Sequence, residues 1–132
     1  MKDSIKNRED IALLVDVFYQ KIRKDKVLGP IFNGMIKDWD SHLNHLTTFW
    51  ESSLFVTKKL EQRYSGNPID AHIKVDHFAN NTIDEHHFGI WLNYWSQTVD
   101  DLFVGEIADM AKRRARKMAT FIHISMFKAR EN

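Results

Sequence analysis

The sequence predicts an all-α fold in a single domain spanning residues 1–132, and three observations predict it. Apolar residues recur at steps of three and four along nearly the whole chain, the spacing of one helix face. No segment shows the strict alternation of a half-buried strand. The breakers are few and clustered: there are two prolines, Pro30 and Pro68, and Gly29, Gly34 and Gly66 lie near them.

The elements follow in order. A first helix starts near Asn7, with Asp10 three residues on in a capping-box-like pair. Ile11, Leu14, Val15, Phe18 and Ile22 form its apolar face, and Tyr19 lies at the edge of that face. Leu28-Gly29-Pro30 is expected to break or bend the chain, with Phe32 at the corner. A second helix begins near Asp38. Trp39, His42, Leu46, Phe49, Trp50 and Leu54 share its inner face, and His45 sits on the flank. That pattern fades after Leu60 and stops at a Gly66-Asn67-Pro68 turn. Residues 72–81 carry a short helix at most. Thr82 and Glu85 have capping-box form ahead of a stripe of Phe88, Trp91, Leu92, Trp95, Val99 and Leu102. The last helix sets Ile107, Met110, Ala111, Ala115, Met118, Phe121, Ile122, Ser125 and Met126 inward, with Lys112, Arg113, Arg116 and Lys117 opposite.

Composition narrows the function. The formal net charge of +1 asks for neither nucleic acid nor an acidic membrane. The basic run at 112–117 lies on an outer helix face, where solvation explains it. The absence of cysteine excludes disulfides, thiol catalysis and Cys-ligated zinc or iron–sulfur sites. No apolar run approaches the roughly 20 residues of a membrane span, and the polar N-terminus has no signal core, so the expected location is cytoplasmic. Aromatics make up 12% of the chain, enough to line either a tight core or a flat ligand slot.

Seven histidines are the remaining chemistry. No glutamate has histidine three residues later and HExxH is absent, which removes the di-iron bundle and the zinc-protease site. No phosphate-binding glycine loop and no GxSxG occur. His42 and His72 stand on either side of the Gly66-Asn67-Pro68 turn, with an aromatic interior between them. Taken singly, each is more often a satisfied core or surface histidine. Together they suit a haem: an apolar slot, one imidazole on iron, and polar groups opposite.

With these pieces in place the chain resembles the truncated haemoglobins, the two-over-two globins, and most closely their third group. The resemblance covers nearly the whole chain, and the matching stretches are FYQKIRKDKVLGPIF at 18–32, WDSHLNHLTTFW at 39–50, YSGNPIDAH at 64–72 and HFGIWLNYW at 87–95. The double-glycine turns of the first two groups are missing, and Trp50 matches a tryptophan of the third. The resemblance implies a haem b cofactor with His72 as the proximal iron ligand. It implies Tyr19 as distal tyrosine, His42 as distal-side histidine and Trp91 as an indole donor. Phe32 would pack against the porphyrin, His45 would meet a propionate, and Leu46, Phe49, Tyr64 and Phe88 complete the haem-binding set. One departure from the family is the length of the stretch from His72 to Phe88.

The function implied is the binding of a small diatomic ligand, O2, NO or CO, stabilised by Tyr19 and Trp91. The first alternative is a haem-dependent redox enzyme, a nitric oxide dioxygenase or peroxidase-like activity. No flavin or nicotinamide motif occurs, so that reading needs a separate reductase. The second alternative is a haem-free helical interaction domain, against which the inward polar residues at 19 and 42 count.

Overall fold

A computed structural model describes residues 2–55 and 85–130, with side chains described for 86–124 in the second stretch. Five α-helices make up the described residues: α1, Arg8–Lys24; α2, Leu28–Met35; α3, Trp39–Leu54; α4, Glu85–Leu102; and α5, Glu106–Arg130. An isolated bridge between Asp3 and Phe103 is the sole β-type pairing among them. None of the described helices is long and apolar enough to cross a membrane.

The start of α1 is set by Asn7, whose side chain accepts from the Asp10 amide at 3.0 Å. Asp10 does not return the bond to Asn7. Its carboxylate accepts from the Lys6 amide one residue earlier, at 2.8 Å. The apolar face predicted for α1 is the centre of the core: Ile11, Leu14, Val15, Phe18 and Ile22 have no exposed surface. Each such side chain contributes about 1.5–3 kcal/mol by leaving water.

Leu28-Gly29-Pro30 does not break the chain; it forms the first turn of α2. The reversal falls earlier, at Asp25-Lys26-Val27. Asp25 ends α1 in an extended conformation, and its Oδ2 accepts from the Val27 and Leu28 amides at 2.9 Å each. One carboxylate oxygen thus serves two of the amide donors that a helix start leaves open. Pro30 costs nothing so near a helix start, where its missing N–H would have no helical acceptor. Gly29 is required by close approach: a Cβ there would lie 2.7 Å from the Arg23 carbonyl oxygen.

Asp38 caps α3 by accepting from the Ser41 amide at 3.1 Å, as its position predicts. The helix ends at Leu54, where Phe55 turns to φ −115, ψ 86, and the fading expected after Leu60 lies outside the described residues. The preceding Ser52 and Ser53 are weak helix formers. The Gly66-Asn67-Pro68 turn and the capping pair at Thr82 and Glu85 lie outside the described residues.

Helix α1 packs against α2, α3 and α4, and α4 packs along α5. The α4–α5 seam joins large to small. Trp95 and Val99 of α4 are fully buried over Ala108, Ala111 and Ala115 of α5. The small residues let the backbones close up, so the Trp95 indole N–H reaches the Ala111 carbonyl at 3.1 Å. Between α4 and α5, Gly105 adopts φ +105, a conformation side chains resist. Phe121 departs from expectation: it is 69% exposed. The buried line of α5 runs Ala108, Ala111, Ala115, Ala119 and Ile122, and Phe121 stands about 100° round the helix from Ile122. In the basic run, Lys112 pairs with Asp100 at 2.7 Å and Arg114 donates to the Ser53 hydroxyl at 3.1 Å, while Arg113, Arg116 and Lys117 face solvent.

Candidate functional site

The helix order brings four rings from three helices around Tyr19. That residue lies one position past Phe18 on α1, at the border of the core stripe, so its ring is buried while its edge reaches the neighbouring helices. It is 6% exposed. Phe32 of α2 stands 5.9 Å away between ring centroids. Trp39 and His42 of α3 each stand 5.8 Å away, and these two contact one another edge-on at 5.7 Å. Tyr19 and Phe18 meet edge-on at 4.7 Å.

Trp91 of α4 closes the fourth side. It packs edge-on against Phe18 at 5.2 Å and stacks on Trp95 at 5.9 Å. Trp95 in turn stacks on Trp50 of α3 at 4.5 Å, so an aromatic column runs between α3 and α4. The Trp91 indole stands beside the Tyr19 phenol and acts on it as a donor. An indole can only donate, so the phenol oxygen is the acceptor. Burial pushes the Tyr19 phenol well above the ordinary tyrosine range, and the Trp91 indole opposes this only in part. Tyr19 is therefore a neutral O–H at any physiological pH.

Of the site residues predicted from sequence, Tyr19, Phe32, His42 and Trp91 come together in this cluster. His45 is exposed on the outer side of α3. Leu46 and Phe49 lie further along α3, half-buried and packed against the core. Phe88 is half-buried three residues before Trp91, with its ring 5.0 Å from His123 of α5. Tyr64 and His72 lie outside the described residues. The sequence reading did not give Trp39 a role at the site, although its position three residues before His42 on one helix face was a sufficient signal. It also did not find Arg23, whose guanidinium covers the Trp39 ring at 4.5 Å from the centroid. No sequence spacing signals that contact, since it joins the end of α1 to the start of α3.

The donor set fits a haem pocket on its ligand side. A phenol, an indole and an imidazole converge with no carboxylate among the cluster's rings, and apolar side chains from α2, α3 and α4 lie half-buried beside them. A Cβ built at Gly89, beside Phe88, would meet nothing within 4 Å among the described residues. Neutral donors beside an apolar wall are what a flat macrocycle with a weakly charged ligand requires.

No family model matches this sequence. A group 3 truncated haemoglobin of Campylobacter jejuni is 31% identical to it, with 97% of each chain covered. The crystal structure of a group III truncated haemoglobin from Campylobacter jejuni superposes with a TM-score of 0.82 at 30% identity, covering 98% of each chain. The five described helices match that all-α truncated globin fold.

Proposed function

This chain belongs to the group 3 truncated haemoglobins, and on that premise we propose that it binds haem b through His72 and takes a small diatomic ligand on the Tyr19 side. The observation that carries the reading is the buried Tyr19 phenol, ringed by Phe32, Trp39 and His42 with the Trp91 indole beside it. Bound haem supplies an iron whose diatomic ligand gathers partial negative charge.

The chain's own residues do the rest. His72 would hold the iron through a neutral imidazole nitrogen, with its other N–H fixed by a carbonyl or water. Phe32, Leu46, Phe49, Tyr64 and Phe88 would contact the ring system, and His45 a propionate. Tyr19 donates its O–H toward the ligand, because burial keeps that proton in place. Trp91 acts through Tyr19: by donating to the phenol oxygen it polarises the O–H and strengthens its donation. His42, edge-on to Tyr19 and Trp39, fills the space between the phenol and the start of α3.

A pocket that donates this strongly also polarises an O–O bond. Nitric oxide dioxygenation or peroxidase-like turnover, with electrons from a separate reductase, is therefore the second reading. Slow dioxygen release with fast decay on adding nitric oxide favours it; rapid reversible exchange favours ligand carriage.

The test is the absorption spectrum of the purified protein after haem addition, oxidised and reduced, beside His72→Ala. A sharp Soret band at one haem per chain, lost or greatly altered in the variant, supports the haem site and its ligand. A broad free-haemin spectrum, alike in both proteins, overturns the reading.

A further inference from the structure

The Asp25 carboxylate divides its two oxygens between two tasks. Oδ2 takes the Val27 and Leu28 amides and so fixes the corner between α1 and α2. Oδ1 takes the Tyr94 hydroxyl of α4 at 2.8 Å. The tie therefore joins a rigid corner, not a loose side chain, to a specific turn of α4. Tyr94 is three residues past Trp91, hence on the same side of that helix. The corner itself carries Tyr19 just before it and Phe32 just after it.

We propose that Asp25 and Tyr94 are positioning residues for the ligand site, a clamp that sets the rotation of α4 and so aims the Trp91 indole at Tyr19. The inference rests on the reading of Tyr19 as ligand donor given above. The packing around Trp91 does not fix this aim. Its contacts with Phe18 and Trp95 are an edge and a stack, geometries that tolerate sliding. Donation weakens steeply with angle, so a small rotation of α4 would turn the indole N–H away from the Tyr19 phenol before it cost the packing. The described ion pair from α1 to α4, Lys21 to Asp101 at 3.3 Å, is exposed at its acidic end and lies two turns further along α4. Exposed pairs of that kind hold little.

The bond is also the strong kind. Burial acts to raise the Asp25 carboxyl, but donation from the Leu28 amide, the Tyr94 hydroxyl and the Val27 amide, with His86 nearby, outweighs it and leaves the group below its ordinary value. The same bond holds the Tyr94 phenol above its ordinary value. Both groups thus keep a phenol donating to a carboxylate across the neutral range.

Tyr94→Phe in the haem-loaded protein tests this, because it removes one oxygen and keeps the ring. Dioxygen release should quicken roughly three- to tenfold, less than for loss of a direct donor. The C–O stretching frequency of the carbon monoxide form should move in the same direction as in Tyr19→Phe. In a Trp91→Phe background the Tyr94→Phe effect should vanish, since the clamp works through Trp91. Asp25→Asn, with one acceptor oxygen left for both tasks, should repeat the pattern. A lowered melting temperature with the C–O frequency unmoved overturns the proposal and leaves a structural tie only. An effect that persists undiminished in the Trp91→Phe background overturns it as well. If Tyr19→Phe itself leaves frequency and release unchanged, the donor reading has failed and takes the clamp with it. If Tyr19→Phe shifts both and Tyr94→Phe neither, the clamp alone is wrong.

Discussion

Replacing Tyr19 by phenylalanine isolates a single oxygen atom. The ring contacts with Phe18, Phe32, Trp39 and His42, at 4.7–5.9 Å, are all available to a phenyl ring, so the cavity term is small. Two polar consequences remain. The half-buried Trp91 indole loses the phenol oxygen beside it, a cost of at most about 1 kcal/mol of stability. The ligand loses its O–H donor. A hydrogen bond to a charge-bearing partner contributes about 1.5–3 kcal/mol, which converts to about ten- to a hundredfold in release rate. The two effects interact, because the freed indole N–H can turn toward the ligand and recover part of the loss. The expected result is therefore near the lower end, about a tenfold faster dioxygen release. Stopped-flow mixing of the oxygenated protein with excess carbon monoxide reads it directly, and a thermal melt of the same sample reads the stability loss. A release rate within about twofold of wild type would refute the donor role, since that is under half a kcal/mol. A slower rate would refute it more sharply, by showing that the phenol crowds the ligand instead of holding it.

Three further outcomes follow from the same geometry. The Tyr19 phenol is raised by burial, so the unfolded chain ionises it near pH ~10 while the folded chain does not. Its contribution is complete below that pH and is lost above it. Melting temperatures of wild type should therefore fall faster than those of Tyr19→Phe once the pH exceeds about 10, and parallel curves would count against it. Trp95→Ala should cost about 3–5 kcal/mol in denaturant unfolding, since it empties a fully buried site, unstacks Trp50 and Trp91 and removes the indole bond to the Ala111 carbonyl. A loss below about 1 kcal/mol would mean that α4 and α5 close over the gap. Gly29→Ala forces a Cβ to 2.7 Å from a backbone oxygen that cannot swing aside, so about 1–3 kcal/mol should be lost, measured the same way. An Ala variant as stable as wild type would show that the α1–α2 corner is softer than its hydrogen bonds imply.

Much of the site was legible because it lies on helices whose phase is set locally. The α1 stripe from Ile11 to Ile22 fixes where Tyr19 falls on the wheel, and the caps at Asn7 and Asp38 fix where α1 and α3 begin. The stretch around Trp91 follows the same logic on α4. These are short-range effects, a 3.6-residue period and a side chain answering an amide three residues on, so the residues alone carry them. The resemblance then attached roles to those positions, and the relatives' identity bears out the family.

Other features depend on which distant groups meet. Leu28-Gly29-Pro30 reads as a break until the Asp25 carboxylate is seen to cap the turn before it, and Tyr94 on α4 helps hold that carboxylate. Phe121 reads as core because a helical stripe has soft edges, and only the docking of α5 on α4 decides which edge is covered. Trp91 reads as an indole donor, and only the packing of α4 on α1 brings it beside Tyr19 through Phe18. The sequence by itself determined α1, α3, α4 and α5, most of their inner faces and the family. Tertiary structure decided which polar group answers which, because hydrogen bonds across helices depend on distance and angle between segments that local periodicity does not relate.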